Sequence, residues 1–184
     1  MSAPSAVAAL ASFLRDHPER TLTVAERLKH SGRLLDSTIG GRSMGATLPD
    51  GAPIRIQLSA REEFARDEVV AFWNGRQVTV HRVLYCGQRG RRRGVMITRG
   101  DAYLSPDLPF RVSSVLGPVV SVRTARGWHA PDALPSRRLA QRAVARAWEM
   151  VAAALCWLDV SFARRGLAAL YLCGRALGGL RPSA

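Results

Sequence analysis

The central part of the chain alternates between apolar and polar positions in short runs, as antiparallel strands do. Ile54–Leu58 alternates at every residue, which is typical of a strand with one buried face. Asn74-Gly75, between two apolar runs, predicts a tight hairpin turn. The predicted strands are Leu34–Ile39, Ile54–Leu58, Val69–Trp73, Gln77–Cys86, Val95–Thr98 and Phe110–Val122. Because no helical pattern separates them, residues 34–123 predict a mainly β domain with a coiled antiparallel sheet or partial barrel.

Both ends of the chain carry helical patterns instead. Residues 1–33 predict a helical segment, in which Thr23 and Glu26 have the spacing of a capping box. The Pro-containing residues 124–136 predict a linker, and residues 137–184 predict a C-terminal helical hairpin. The sequence therefore predicts a β domain with helical ends.

The two apolar runs of the predicted hairpin, Met150–Ala163 and Gly166–Leu180, are each shorter than the ~20 residues that span a bilayer. Three interpretations stay open: a hairpin packed on the sheet, a peripheral membrane contact through residues 143–180, and a partner-binding surface. An early apolar run at residues 5–14 has no basic residue before it, so no secretion signal is predicted. We expect a protein that is cytoplasmic or peripheral at the inner membrane face.

The net charge of +13 favours anionic partners. All but one of the 27 basic residues are arginine, and they are spread along the chain, which argues against a dedicated nucleic-acid surface. The three cysteines have no metal-ligand spacing, and their odd number does not indicate a disulfide framework. No metal or other cofactor is predicted, and the oligomeric state is left open.

The best candidate for chemistry is Ser43, in the Gly-flanked turn Gly41–Leu48. A serine hydroxyl becomes a good nucleophile when a neighbouring base removes its proton. Lys29 is the chain's only lysine and precedes the serine, inside a predicted helix. The remaining candidate base is His81, in a strand-like run about forty residues after Ser43.

Five segments that follow one another at suitable spacing strengthen this candidate. They are Ser43-Met44 with Thr47-Leu48, Val69–Phe72, Val80–Val83, Ile97–Asp101 and Val115–Val119. Together they resemble the type I signal peptidase family, in particular its archaeal and endoplasmic-reticulum branch, in which His stands in place of Lys. The resemblance covers roughly residues 37–123. It implies a coiled β fold of the signal-peptidase type and peptide-bond hydrolysis by Ser-His-Asp acyl transfer.

The residues alone leave two aspartates, Asp101 and Asp107, as candidates for the acid that orients the imidazole. The resemblance implies that Asp107 is the triad acid and that Asp101 is a supporting acid nearby. Met44 and Arg42 are expected in the neighbourhood of the substrate and the oxyanion. Arg42 could meet a substrate carboxylate or be solvated, and its position in the sequence does not decide between these roles.

The chain departs from the family pattern at several places. Gly45-Ala46 stands where the family usually has a proline, and Asp50–Pro53 replaces a Gly-Asp element. No amino-terminal membrane anchor is predicted. We therefore expect a serine endopeptidase that cleaves leader or signal-like segments of one or a few dedicated substrates. The alternative is a catalytically inactive, peptidase-like module that binds anionic lipid, nucleic acid or a protein, with the basic tip Arg89–Arg93 as its main feature.

Overall fold

The computed structural model describes residues 27–88, 93–125 and 127–131, together with isolated helical positions between 146 and 168. Within these residues the chain forms a sheet of eight strands. They are β1 Leu34–Thr38, β2 Pro53–Gln57, β3 Val69–Trp73, β4 Val78–Cys86, β5 Val95–Arg99, β6 Phe110–Arg111, β7 Val115–Thr124 and β8 Gly127–His129. The protein is thus mainly β, as the alternating pattern predicts.

The strands follow one another in the order β1-β2-β7-β3-β4-β5-β6, and β8 pairs with the far end of β7. Every pairing is antiparallel, from Leu34 opposite Gln57 at one end to Val95 opposite Arg111 at the other. The sheet curls into an antiparallel half-barrel. The predicted coiled sheet is confirmed at this level.

Strand β7 joins the two halves of the sheet, since it pairs with both β2 and β3. The register shifts once between Val115 and Gly117 and again between Val119 and Ser121. Such bulges bend a strand and increase its twist. Gly117 has a φ of 153° and its Cα faces the backbone of Gln57, so a side chain at this position would collide with β2. The bend in β7 therefore lies at the Gly117-Pro118 pair.

Two clusters of buried side chains lie on opposite faces of β3. One cluster joins the Ser43 turn to the strands that bracket it and contains Ile39, Met44, Leu48, Ala52, Ile54, Ile56, Val69, Ala71, Val119 and Val122. The other lies around β4 and β5 and contains Phe64, Val70, Phe72, Val83, Met96, Val112 and Val115. Burial of apolar area of this kind is the main favourable contribution to folding.

Two segments differ from the sequence-based prediction. The predicted single strand Phe110–Val122 is interrupted by a 3-10 turn at Val112–Ser114, which separates β6 from β7. This turn has no Gly or Pro, so composition does not reveal it. The predicted linker 124–136 contains β8, because a turn with Gly127 at a φ of 93° lets the chain fold back onto β7. The guanidinium of Arg55 lies 4.1 Å from the ring centroid of Trp128, which holds the added strand.

Residues 27–30 of the predicted segment 1–33 are helical, and Gly32 follows with a φ of 59°, as is common just after a helix. The rest of the predicted segment 1–33 lies outside the described residues. So does the predicted hairpin 137–184, apart from the isolated helical positions. Among the residues that are described, none of the helices has both the length and the apolar character needed to cross a membrane.

Candidate active site

His81 lies on β4 with only 1% of its side chain exposed, on the same face as Thr79. Its Nδ1 is 2.6 Å from Oδ2 of Asp107. An ionised carboxylate only accepts hydrogen bonds, so Nδ1 carries the proton and Nε2 of the neutral ring presents its lone pair. Nε2 is buried and has no hydrogen-bond partner among the described residues. Asp107 therefore orients the imidazole through Nδ1, and Nε2 can accept a proton.

Asp107 lies in the loop between β5 and β6, and its side chain is 13% exposed. The hydroxyl of Thr98 on β5 donates to the same Oδ2 at 2.6 Å. The rings of Phe72 and His81 make an edge-to-face contact, with the centroids 6.1 Å apart and the planes inclined at 63°. These contacts fix both members of the His-Asp pair.

Ser43 lies in the turn that follows β1 and is half-buried. The next residue, Met44, is 1% exposed and Leu48 is fully buried, so the apolar core anchors the turn on both sides of the loop. Asp50 Oδ1 accepts the backbone N–H of Gly41 at 2.8 Å, which closes the turn at its base. The turn is thus short and anchored at its base and in the core, and Ser43 stays partly exposed within it.

The turn after β5 brings Ser43 and His81 together. The backbone N–H of Ala102 donates to the carbonyl oxygen of Ser43 at 2.9 Å. The point where a β-carbon would stand on Gly100 lies 2.5 Å from that carbonyl oxygen and 3.1 Å from His81 Nε2. The absence of a side chain at Gly100 therefore lets the serine turn approach the open nitrogen of the imidazole.

Ser43, Met44 and His81 line one cavity of about 90 Å³, whose other walls come from β1, β2 and β4. Since Nε2 has no partner within the described residues, the Ser43 hydroxyl is not hydrogen-bonded to it. Nucleophile and base are often more loosely arranged in the absence of substrate than in the Michaelis complex. The arrangement has the components of a Ser-His-Asp triad, with the Ser-His hydrogen bond open.

The backbone amides of Ser43 and Met44 are candidates for stabilising negative charge. In the turn, the amides of Gly45 and Thr47 donate to the carbonyls of Arg42 and Met44. Among the described residues the amides of Ser43 and Met44 donate to no other group. Uncommitted N–H groups beside a nucleophile are what an oxyanion hole requires.

Asp101, the other predicted acid, faces away from His81. Its carboxylate is 1% exposed and receives two donors from Arg82, Nε at 2.9 Å and Nη2 at 2.7 Å. Arg82 follows His81 on β4, so its side chain projects to the opposite face of the strand. The Arg82 Nη1 also donates to the carbonyl oxygen of Asp67 at 2.7 Å. Asp101 is thus positioned to support the β5 turn through Arg82 rather than to contact the imidazole.

Arg42 is exposed at the turn, where its carbonyl accepts the N–H of Gly45. A larger cavity of about 490 Å³ is lined by both His81 and Asp107. The stacked rings of Phe72 and Phe110, with centroids 4.3 Å apart, form one of its walls. The imidazole is therefore reached from two cavities.

Sequence reasoning missed Thr98 and Gly100 as parts of this site. A threonine inside an apolar strand is typical of strands in general. The role of Thr98 depends on its contact with the loop that carries Asp107. Gly100 lies inside the segment Ile97–Asp101, and nothing else in the sequence distinguishes it. Most of the basic tip Arg89–Arg93 lies outside the described residues, and only Arg93 is placed.

No group of His, Cys, Asp and Glu side chains within the described ranges has the geometry of a metal site. The chain matches no known family model, and no curated protein is detectably similar to it.

Proposed function

We propose that the chain is a serine endopeptidase resembling type I signal peptidases, which cleaves leader or signal-like segments of one or a few dedicated substrates. The observation that carries the proposal is the hydrogen bonding of the two ring nitrogens of His81. Its Nδ1 is held 2.6 Å from Asp107 while its buried Nε2 is left without a partner among the described residues. A structural histidine in a core satisfies both nitrogens, since an unpaired buried polar atom costs free energy. An open Nε2 beside a serine turn is expected when the atom takes part in proton transfer.

In the proposed reaction, the Ser43 hydroxyl forms a hydrogen bond to His81 Nε2 when substrate enters the small cavity. Oγ attacks the carbonyl carbon of the scissile peptide bond as its proton moves to Nε2. Asp107 stabilises the resulting imidazolium through Nδ1. Nε2 then gives the proton to the leaving amine, and the C–N bond breaks to leave an ester on Ser43. A water molecule, deprotonated by Nε2, hydrolyses the ester and regenerates the serine.

The turn itself would stabilise the tetrahedral intermediates. The amides of Ser43 and Met44 are uncommitted among the described residues, and donors of this kind aimed at an oxyanion are worth about 3–4 kcal/mol each when removed. Because Met44 is anchored in the core, these donors are fixed before substrate arrives. Preorganised donors need no reorientation during the reaction, which makes them more effective than water.

Peptide cleavage by the full-length protein tests the proposal. A library of synthetic leader-like peptides is incubated with the purified protein, and new termini are identified by mass spectrometry. We expect cleavage by the wild type, a fall on the order of 10⁶ in turnover for Ser43→Ala, and a fall of up to about 10⁴ for Asp107→Asn. Ser37→Ala is the matched control, since Ser37 lines the same cavity from β1, outside the Gly41–Leu48 turn.

Two results would contradict the proposal. Cleavage at the same sites by Ser43→Ala would assign the activity to another residue or to a contaminant. Absence of cleavage by the wild type across peptides and whole precursor proteins would favour the inactive binding module instead.

A further inference from the structure

Apart from the two cavities at His81, the molecule has a basic cleft. It shares no lining residue with either of them. It has a volume of about 380 Å³ and lies between the helical end at residues 27–30, the segment after β2, the start of β5 and the connection from β6 to β7. Ten residues line it, among them Lys29, Arg61, Glu62, Arg93, Arg111 and Val112. The volume falls in the range of small-molecule sites.

Four of these ten residues are cations and one is a carboxylate. Lys29 is 4% exposed, and its ammonium donates to the carbonyl oxygen of Ser113 in the wall of the cleft. A charge inside the protein is screened less by solvent and salt than one on the surface. The buried ammonium therefore adds a persistent positive field to a concave site.

Two of the three arginines of the cleft make ion pairs that use only some of their N–H donors. Arg61 Nη2 lies 2.5 Å from Glu68 Oε1, and its guanidinium covers the ring of Phe64 at 4.3 Å from the centroid. Arg93 Nη2 contacts Glu62 Oε2 at 3.1 Å. Each guanidinium has five N–H donors in a planar fork, so an ion pair through one nitrogen leaves donors for a ligand.

We propose that this cleft binds a phosphoryl group. Arginine matches phosphate oxygens with paired N–H donors, and a neighbouring lysine adds a point charge, so several cations in one concave site suit a ligand with more than one negative charge. Val112 and Val115 give the cleft an apolar wall beside its cations, which suits the organic part of a phosphate ester. The phosphoryl group belongs either to a soluble phosphate compound or to a lipid headgroup. The inference is independent of the proposed peptidase activity.

Binding to the full-length protein distinguishes the two sources. Titration calorimetry with pyrophosphate tests the soluble ligand, and flotation with vesicles of phosphatidylglycerol and phosphatidylcholine, against phosphatidylcholine alone, tests the headgroup. Arg111→Gln and Arg93→Gln each remove one cation from the exposed side of the cleft. Arg123→Gln is the matched control, since it removes the same charge from an exposed position on β7 outside the cleft. Thermal unfolding checks that each variant is folded.

We expect at least one probe to bind, at least tenfold weaker binding in both cleft variants, and a change of less than twofold in the control. Binding of pyrophosphate alone identifies a soluble ligand, and cleft-dependent binding of acidic vesicles identifies a headgroup. An equal loss in Arg123→Gln and the cleft variants would overturn the proposal in favour of diffuse surface charge. Absence of binding to both probes would overturn it outright.

Discussion

Thr98 and Asp107 are joined by two hydrogen bonds, one in each direction. The Thr98 hydroxyl donates to Asp107 Oδ2 at 2.6 Å, and the backbone N–H of Asp107 donates to the Thr98 carbonyl at 2.8 Å. Oδ2 is also the atom that contacts His81 Nδ1. The loop carboxylate is thus fixed from strand β5, and Thr98 acts as a positioning residue for the imidazole.

Replacing Thr98 with valine should reduce turnover while leaving substrate binding nearly unchanged. The change removes the hydroxyl that holds Asp107 but keeps the shape of the side chain. A hydrogen bond to a charged group contributes about 1.5–3 kcal/mol, so kcat should fall at least about tenfold. KM for the same peptide should change less than twofold, since Thr98 is fully buried and lines neither of the cavities at His81. Steady-state kinetics measures both constants.

The serine variant at the same position is the control for Thr98→Val. Thr98→Ser keeps the hydroxyl, so it should recover most of the lost kcat even if it is less stable. If valine and wild type have equal kcat, the backbone hydrogen bond alone is sufficient to hold Asp107.

Asp101 should matter for folding more than for the imidazole. Asp101→Asn leaves the buried guanidinium of Arg82 without its carboxylate, and breaking a buried pair in this way costs about 3–5 kcal/mol. We expect the free energy of unfolding in urea to fall by about that amount. Asp36→Asn is the control, because its pair with Arg55 is 68% and 38% exposed and should contribute less than about 1 kcal/mol. Similar losses in both variants would contradict a special role for the buried pair.

Much of the sheet could be predicted because its strands are short alternating or apolar runs: β2 has one buried face, whereas β3 and β5 are buried on both. Val69–Trp73 was predicted with its observed bounds, and the Asn74-Gly75 turn joins it to β4 as expected. The break between β6 and β7 could not be predicted. It depends on tertiary contacts of the Val112–Ser114 turn, whose Ser113 carbonyl accepts from Lys29, some 84 residues away in the chain.

The candidate site was predictable only in part. The resemblance grouped Ser43, His81 and Asp107, and the structure joins the last two directly. The separation of Asp101 from His81 follows from the alternation of β4, which turns Arg82 to the opposite face. No sequence pattern could reveal Thr98, since its role depends on the path of the loop that carries Asp107.

Cys86 should be a slow nucleophile at neutral pH. Burial raises the pKa of its thiol, and the nearby carboxylates of Glu63 and Glu68 act in the same direction. The thiolate is the form that reacts, so a raised pKa lowers its population. In a Cys156→Ser/Cys173→Ser protein, alkylation by iodoacetamide at pH 7.5 should be at least tenfold slower than in the same protein unfolded in urea. The rate should climb as the pH rises above the ordinary range of a thiol.

The raised pKa of the Cys86 thiol also affects the stability of the fold. The folded thiol has a higher pKa than the unfolded one, so its neutral form favours the folded state. This contribution is fully present below the unfolded pKa and is lost as the pH rises through the folded pKa. Equal alkylation rates in the folded and unfolded protein would show that the thiol is not protected.

Gly100→Ala tests the geometry of the site most directly. The added methyl group would stand 2.5 Å from the carbonyl oxygen of Ser43, 3.0 Å from the Tyr103 ring and 3.1 Å from His81 Nε2, so the serine turn or the imidazole must move. A displacement of about 1 Å between reacting groups lowers the rate on the order of 10²-fold, and crowding costs about 1–3 kcal/mol of stability. We expect turnover to fall by that factor in a protein that remains folded by circular dichroism and urea titration. Gly40→Ala is the control for the change in backbone freedom, since its methyl group would meet no atom within 4 Å. If Gly100→Ala retains wild-type turnover, the close approach of Ser43 to His81 across Gly100 is not the reactive geometry.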